Sequence, residues 1–268
     1  MSIGEWLVDR LRPFEFRGKR RLLGRFVPTK GTRAANVHGA LMELDLADEI
    51  QRAIYLGSVG PEEVAAVRRS LPVGGTMIDV GANVGFFTAL ACSRVGPSGR
   101  VLAFEPSGHV FTRLARTVET SPLKQVELFQ VALSDRDGTL NLSIPPRSIG
   151  NHSPTFADVD GWEKLEVPIG RLDDYVRRLT IDTVDLLKID VEGHEPRVLA
   201  GAEASLRSGR VRHVLCEFND FWLRQHGSAP AELWSQLTDM GFVDPHSRAR
   251  CPEFRSGCVE SRWFVRRG

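Results

Sequence analysis

Thr76-Met-Ile-Asp-Val-Gly-Ala-Asn-Val-Gly-Phe-Phe87 decides the fold of this chain. Met77, Ile78 and Val80 make an apolar run that reads as a buried strand. The run delivers Asp79 into a turn built on Gly81 and Gly85, and a helical pattern starts at Phe86. Backbone that passes close to a ligand needs glycine, because a Cβ would fill the ligand's space. The helix N-terminus behind the turn offers free N–H groups. Strand, glycine turn and helix together predict a nucleotide-type cofactor cradle. A second apolar run, Val101–Phe104, ends in Glu105 about 20 residues on, where a ribose-binding acid belongs.

Two cofactors compete for that cradle. A dinucleotide site wants G-x-G-x-x-G, its middle glycine letting the backbone approach a pyrophosphate. Here Asn83 stands at that place, which disfavours a nicotinamide dinucleotide. S-adenosylmethionine has no phosphate to accommodate. It needs an acceptor for the methionine ammonium, an acid for the ribose hydroxyls and an apolar slot for adenine. Asp79, Glu105 and the turn after Val131 can supply these.

Outward from this unit, strands and helices alternate. Strand Thr76–Val80 precedes helix Gly85–Arg94, strand Arg100–Phe104 precedes helix Gly108–Thr120, and a third strand covers Gln125–Leu133. The rhythm resumes with strand Val184–Ile189, helix Pro196–Ser208, strand His213–Phe218, helix Ala231–Met240 and two strands near Phe242–Asp244 and Val259–Val265. Strands separated by helical runs predict an α/β fold whose mostly parallel sheet is covered on both faces. Between the two series, Asp137-Gly138 signals a turn, Thr139–Ile144 alternates, and Pro145, Pro146, Gly150 and Pro154 mark a loop. Residues 136–170 therefore read as an insert that covers the substrate, with Asn151, His152 and Ser153 reaching in or merely turning the chain. Upstream, residues 36–72 read as a helical lead-in with Pro61 at the first position of its last helix. Residues 1–35 form a basic arm before the domain of residues 73–268.

Bulk properties agree with one decorated domain. The 268 residues are 42% hydrophobic and 26% charged, and the net charge of +1 gives no general drive toward nucleic acid. The local exception is Arg10, Arg12, Arg17, Lys19, Arg20, Arg21 and Arg25, set against Glu15 and interleaved with Leu11, Phe14, Phe16, Leu22 and Leu23. Such an arm is either solvated or a peripheral contact for a membrane surface or a partner. No apolar run approaches the ~20 residues of a transmembrane helix, and the start lacks the pattern of a secretion signal. Cys92, Cys216, Cys251 and Cys258 show no metal spacing and read as reduced thiols, so a cytoplasmic location is expected.

A second constellation, Val184-Asp-Leu-Leu-Lys-Ile-Asp-Val-Glu-Gly-His-Glu195, crowds acids and an imidazole after a buried strand. Ligands of open α/β sheets sit beyond the carboxyl ends of the strands. Asp190, Glu192 and His194 are therefore placed beside the Gly81 turn, at the reacting centre. His194 is the candidate general base, because imidazole accepts a proton near neutral pH; its alternative is to cap the helix at Pro196. Lys188 is explained by pairing with Asp190 or another acid. A second possibility gives Mg²⁺ the oxygen ligands Asp190, Glu217 and Asn219. Phe221 and Trp222 wall an acceptor pocket or pack in the core.

Several stretches in order resemble the FkbM-type S-adenosylmethionine-dependent methyltransferases. They are Ile78-Asp-Val-Gly-Ala-Asn-Val-Gly85, Val101-Leu-Ala-Phe-Glu-Pro106, Val131-Ala-Leu-Ser-Asp135, Arg171-Leu-Asp-Asp-Tyr175 and Leu187-Lys-Ile-Asp-Val-Glu-Gly-His-Glu195. The resemblance covers residues 40 to 268. It implies a class I, Rossmann-like methyltransferase sheet of seven strands with a reversed final hairpin, and O-methylation of a polyketide or sugar hydroxyl. It also implies that Asp79, Gly81, Asn83 and Gly85 surround the methionine part, that Glu105 binds the ribose and that Ser134 and Asp135 lie near adenine. By the same resemblance Ala82, Pro106, Ser107, Ala132, Leu133 and Asp190 belong to the cofactor site. Asp190, Glu192 and His194 then face the methyl group. A small-molecule or glycan acceptor and a homo-oligomer are the partners this leaves open. The alternatives are N-methyl transfer, metal-assisted O-methyl transfer and a non-catalytic scaffold.

Overall fold

The computed structural model describes residues 6, 8, 10, 11, 14, 18–146, 154–247 and 251–267, the side chain of Arg20 excepted. Helix α1 (Lys19–Leu23) leads to a hairpin of β1 (Thr32–Val37) and β2 (Ala40–Asp45), then to helices α2 (Glu49–Leu56) and α3 (Pro61–Ser70). The helical reading of residues 36–72 is thus corrected over its first part. Ala40, Met42 and Leu44 are buried while Leu41 and Glu43 are exposed, a period of two that belongs to a strand. His38 and Gly39 both have positive φ, 52° and 88°, as a two-residue hairpin turn demands. The basic arm is not wholly solvated either. Val8 and Leu23 are buried in the core, and the buried Lys19 ammonium donates to the Gly57 carbonyl at 2.6 Å. Arg12, Phe16 and Arg17 lie outside the described residues.

The α/β series follows as β3 (Thr76–Val80), α4 (Phe86–Val95), β4 (Arg100–Phe104), α5 (Gly108–Glu119) and β5 (Val126–Phe129). After the insert come α6 (Leu172–Arg178), β9 (Val184–Ile189), α7 (Glu195–Gly201), α8 (Glu203–Arg207) and β10 (Val211–Asn219). The chain ends with α9 (Asp220–Gln225), α10 (Pro230–Asp239), β11 (Phe242–Val243) and β12 (Val259–Arg266). The seven-stranded sheet has the order β11-β12-β10-β9-β3-β4-β5. Strands β10, β9, β3, β4 and β5 are parallel, and β12 runs antiparallel between β10 and β11. This is the class I methyltransferase arrangement with a reversed final hairpin.

Alternate residues of the central strands feed two cores. Met77, Val101, Leu186 and Leu215 pack with β1, β2 and helices α2 to α4. Ile78, Leu102, Leu187 and Val214 pack on the other face with helices α6 to α8 and α10. Burial on both faces explains why these strands read as continuous apolar runs.

The expected third strand divides. Val126–Phe129 stays in the main sheet, whereas β6 (Ala132–Leu133) turns away and joins β7 (Gly138–Ile144) and β8 (Glu163–Gly170) in a three-stranded sheet. That small sheet overhangs the carboxyl ends of the main strands. Asn151, His152 and Ser153 lie outside the described residues.

Candidate active site

Register brings four strand ends level. Val80 pairs with Phe104 and with Ile189, and Ile189 pairs with Cys216. The next residue of each strand is therefore Gly81, Glu105, Asp190 or Glu217, in one row along the sheet's carboxyl edge. All four line one cavity. So do Ala82, Asn83, Pro106, Ala132, Leu133, Lys188 and Glu192.

The turn after β3 is fixed by its neighbours in the protein. Gly81 has φ of 78°, and a Cβ there would collide with the main-chain carbonyl oxygen of Asp190. Gly85 has φ of 95°, and its Cβ would lie 2.8 Å from Leu114 Cδ1. Protein packing demands glycine at 81 and the positive φ favours it at 85, reasons that stand beside the expected approach to a ligand. Asn83 occupies the left-handed region at φ 49°, which asparagine tolerates well. From there its N–H donates to Glu105 Oε2 at 3.0 Å, while the Ser107 N–H donates to Oε1 at 3.0 Å. Burial pushes the Glu105 carboxyl up to about 7, against the pull of these two donors. Phe104, Val110, Val131 and Leu133 form an apolar slot beside it.

Asp79 is sealed beneath the cavity. It is fully buried, accepts from Thr88 Oγ1 at 2.7 Å, and has Lys188 Nζ at 3.6 Å from its Oδ1. A direct contact between Asp79 and a cofactor ammonium is thereby corrected: the carboxylate serves as counter-ion to Lys188. The same ammonium lies 3.3 Å from Asp190 Oδ2 and 5.0 Å from the centre of the Phe87 ring. Burial works against the lysine's charge, but Asp190 and Asp79 outweigh it and hold the pKa above its ordinary value. Asp190 lines the cavity, and its side chain is 40% exposed there.

Glu192 sits in the left-handed region at φ 50° and accepts from Asn219 Nδ2 at 3.2 Å. Asn219 also accepts from the Trp222 N–H, so it caps α9 and does not line the cavity. Asp190, Glu192 and Glu217 each place a carboxylate oxygen within 4.8 Å of the others. Of the residues expected to hold a cation, Asp190 and Glu217 come together with Glu192, whereas Asn219 is turned to the helix cap. Glu217 Oε2 is buried without a hydrogen-bond partner. Burial, reinforced by the charges of Asp190 and Glu192, raises the Glu217 pKa well above its ordinary value.

His194 occupies a different position from the one expected of a base. It is buried, does not line the cavity, and its ring centre lies 4.5 Å from that of Phe156, with the two planes tilted by 43°. Its Nε2 pairs with Ser134 Oγ at 3.0 Å, and burial drives its pKa down to about 3. Ser134 in turn contacts Asp135 at 3.2 Å, and Arg197 holds Asp135 at 2.5 Å. His194, Ser134 and Asp135 thus brace the overhanging sheet against α7, away from the cavity wall. Glu195, which the sequence reading left without a role, is buried. Its Oε1 accepts the N–H groups of Val191 and Gly193 at 3.0 and 3.3 Å and so shapes the loop that presents Asp190 and Glu192. The cover joins this brace where Thr155 Oγ1 donates to the Glu192 carbonyl at 3.0 Å.

The cavity is also lined by residues that motif reading did not find. Ile50, Ile54 and Val59 come from the lead-in, Phe86 and Phe87 from α4, and Leu142, Pro154 and Phe156 from the cover. The i, i+4 spacing of Ile50 and Ile54 was the available signal. Phe221 and Trp222 are not among the lining residues; Phe221 is exposed and Trp222 is buried against Trp162.

Residues 79–243 match the family described as the methyltransferase FkbM domain. Methyltransferase sdnD of Sordaria araneosa is 30% identical over 209 residues, 67% of this chain and 78% of that protein. The 31-O-demethyl-FK506 methyltransferase FkbM of Streptomyces tacrolimicus is 33% identical over 176 residues, 55% of this chain and 66% of that one. Methyltransferase 1 of Beauveria bassiana is 30% identical over 145 residues; the match takes in 47% of this chain and only 58% of that protein's length.

Proposed function

Because this chain belongs to the FkbM methyltransferase family, we propose that it methylates a hydroxyl oxygen of a small natural product or of a sugar. S-adenosylmethionine, when bound, supplies an electrophilic methyl group on a cationic sulfur. The observation that carries the reading is the level row of Gly81, Glu105, Asp190 and Glu217 around one cavity. Glu105, with both oxygens oriented by backbone N–H groups, is placed to accept from two vicinal ribose hydroxyls. Phe104, Val110, Val131 and Leu133 offer a flat apolar slot to the base. Asp190 takes the ammonium, the part first assigned to Asp79. An O-methyl product accords with the name of the Streptomyces relative, which transfers to an oxygen.

Proton removal passes from His194 to Glu217. A group that accepts a proton must reach the substrate, and His194 does not line the cavity whereas Glu217 does. Asp190 is engaged by Lys188 and Glu192 by Asn219, whereas Glu217 Oε2 is the one carboxylate oxygen of a cavity-lining residue that is buried without a partner among the described residues. A cation held beside Glu217 favours its ionised form, so donor binding prepares it to take the hydroxyl proton. Alignment of the acceptor oxygen by Ile50, Ile54 and Phe87 contributes the larger share of the rate.

The test is incubation with methyl-labelled donor and a panel of hydroxylated metabolites and glycans, then mapping of the labelled atom. Label on oxygen supports the reading, and label on nitrogen replaces it with N-methyl transfer. A protein that fails to bind the donor in calorimetry would lose the reading altogether. A second reading, in which Mg²⁺ assists, is favoured by the proximity of the Asp190, Glu192 and Glu217 oxygens. Hard divalent cations prefer such ligands, and a chelator separates this reading from the first.

A further inference from the structure

Helix α2 is lined on two sides. Ile50 and Ile54 wall the donor cavity, whereas Arg52 and Leu56 face a second pocket together with Gly18, Arg21, Gly24 and Arg25. Residues two apart lie about 200° apart around a helix, so the two pockets flank α2 on opposite sides.

The second pocket gathers three guanidinium groups and no carboxylate. Arg52 Nη2 donates to the Gly24 carbonyl at 3.1 Å, but its Nε is buried without a partner. Neither Arg21 nor Arg25 has an ion-pair partner among the described residues. Three like charges around one concavity repel one another unless an anion joins them, and guanidinium matches phosphate with paired donors. The same N-terminal stretch exposes apolar side chains. Trp6, Phe14, Leu22 and Phe26 are four of the ten exposed large hydrophobic side chains among the described residues. Leu22 follows Arg21 directly and Phe26 follows Arg25, so charge and grease alternate along the segment. The Arg10 guanidinium lies 5.6 Å over the Trp6 ring.

We infer that this face docks on an anionic bilayer, with Arg21, Arg25 and Arg52 taking lipid phosphates while Leu22 and Phe26 enter the interfacial layer. Arginine next to aromatic and aliphatic side chains is the chemistry of that layer. Docking there sets α2, and the half-exposed Ile50 at the cavity's edge, within about one helix diameter (~10 Å) of the surface. An acceptor carried by a lipid would then meet the cavity without leaving the membrane. The docking itself does not depend on which atom is methylated.

The experiment is co-sedimentation of the full chain with phosphatidylcholine vesicles and with mixed phosphatidylcholine–phosphatidylserine vesicles. The expected result is binding to the mixed vesicles alone, weakened by high salt. The double substitution Arg21→Gln with Arg25→Gln should cut that binding roughly thirty-fold, each guanidinium contributing about a factor of five near an anionic surface. Donor binding by calorimetry, unchanged in the double variant, shows that the fold and cavity are intact. Leu22→Ser with Phe26→Ser serves as a second variant and should also weaken the association. Failure to bind the mixed vesicles, equal binding to both kinds, or unchanged binding by the arginine variant would each overturn the inference.

Discussion

The main-chain carbonyl of Asp190 occupies the space that a side chain on Gly81 would need. The first and fourth strands of the parallel series are thereby held close at their carboxyl ends, beside the cavity. Gly81→Ala forces a β-carbon against that carbonyl and places alanine at φ 78°. Left-handed backbone costs about 1–2 kcal/mol and the overlap about 1–3 kcal/mol more. The variant should lose roughly 3 kcal/mol in chemical denaturation, and its donor affinity should fall because Asp190 shifts. A variant as stable as the parent would show that the two strands separate readily.

Glu105 couples donor binding to pH. Its carboxyl titrates at about 7 because burial outweighs two backbone donors. Ribose hydroxyls donate to the charged form, so the proton must leave when the donor binds. Affinity should be steady above about pH 8 and fall toward tenfold per unit below 7. Glu105→Gln should weaken binding about ten- to a hundredfold, the range of a hydrogen bond to a charged group, and remove the pH dependence. Calorimetry at about pH 6 and pH 8 checks both; a flat profile in the parent would separate Glu105 from the ribose.

His194 makes a prediction about stability. Its pKa in the folded chain is depressed to about 3 by burial, with the nearby His226, Arg197 and Arg136 acting in the same direction and Asp135 against it. The unfolded residue titrates near 6.5. Between about 6.5 and 3 the unfolded state therefore binds the extra proton, and stability is lost as pH falls through that window. His194→Gln removes this term while retaining a polar partner for Ser134. Urea denaturation should show a shallower acid loss for the variant, the difference reaching roughly 3 kcal/mol near pH 4. Parallel pH profiles would mean that the imidazole stays in contact with water.

What was legible in the sequence is what local pattern encodes. The buried strands announced themselves because both their faces are covered, and Gly81, Asn83, Glu105 and Asp190 stood at strand ends where chain order already places ligands. Four features were not legible. The β1–β2 hairpin was hidden because the exposed Leu41 imitates helical i, i+3 spacing with Leu44, although Ala40, Met42 and Leu44 carried the period of two. The partnership of Asp79 with Lys188 joins strands more than a hundred residues apart, and nothing nearby distinguishes a counter-ion from a ligand. His194 lay within a dense polar motif, but only the overhang of β6 and Phe156 decides that its ring turns away from the cavity. The acceptor wall was invisible for the same reason. Ile50, Phe87 and Phe156 come from three separate elements, and their meeting is a tertiary fact.

Glu217 carries the sharpest prediction about turnover. Glu217 lines the cavity in a row that also presents Asp190 and Glu192, and its Oε2 is buried and unpartnered. Glu217→Gln keeps the shape and removes the proton acceptor. Turnover at saturating acceptor should fall about 10²- to 10⁴-fold, the usual worth of general base assistance, while donor affinity changes only a few-fold. His194→Ala, by contrast, should act chiefly through stability. Two controls separate the alternatives. Activity that survives a chelator excludes the reading with Mg²⁺, and activity abolished by the chelator and restored by Mg²⁺ would make Glu217 a metal ligand instead. Recovery of the Glu217→Gln rate with an acceptor whose hydroxyl is already acidic, such as a phenol, is expected of a lost base, because such a hydroxyl ionises unaided. A Glu217→Gln enzyme as fast as the parent on an aliphatic alcohol would leave the hydroxyl proton to water and Glu217 to structure alone.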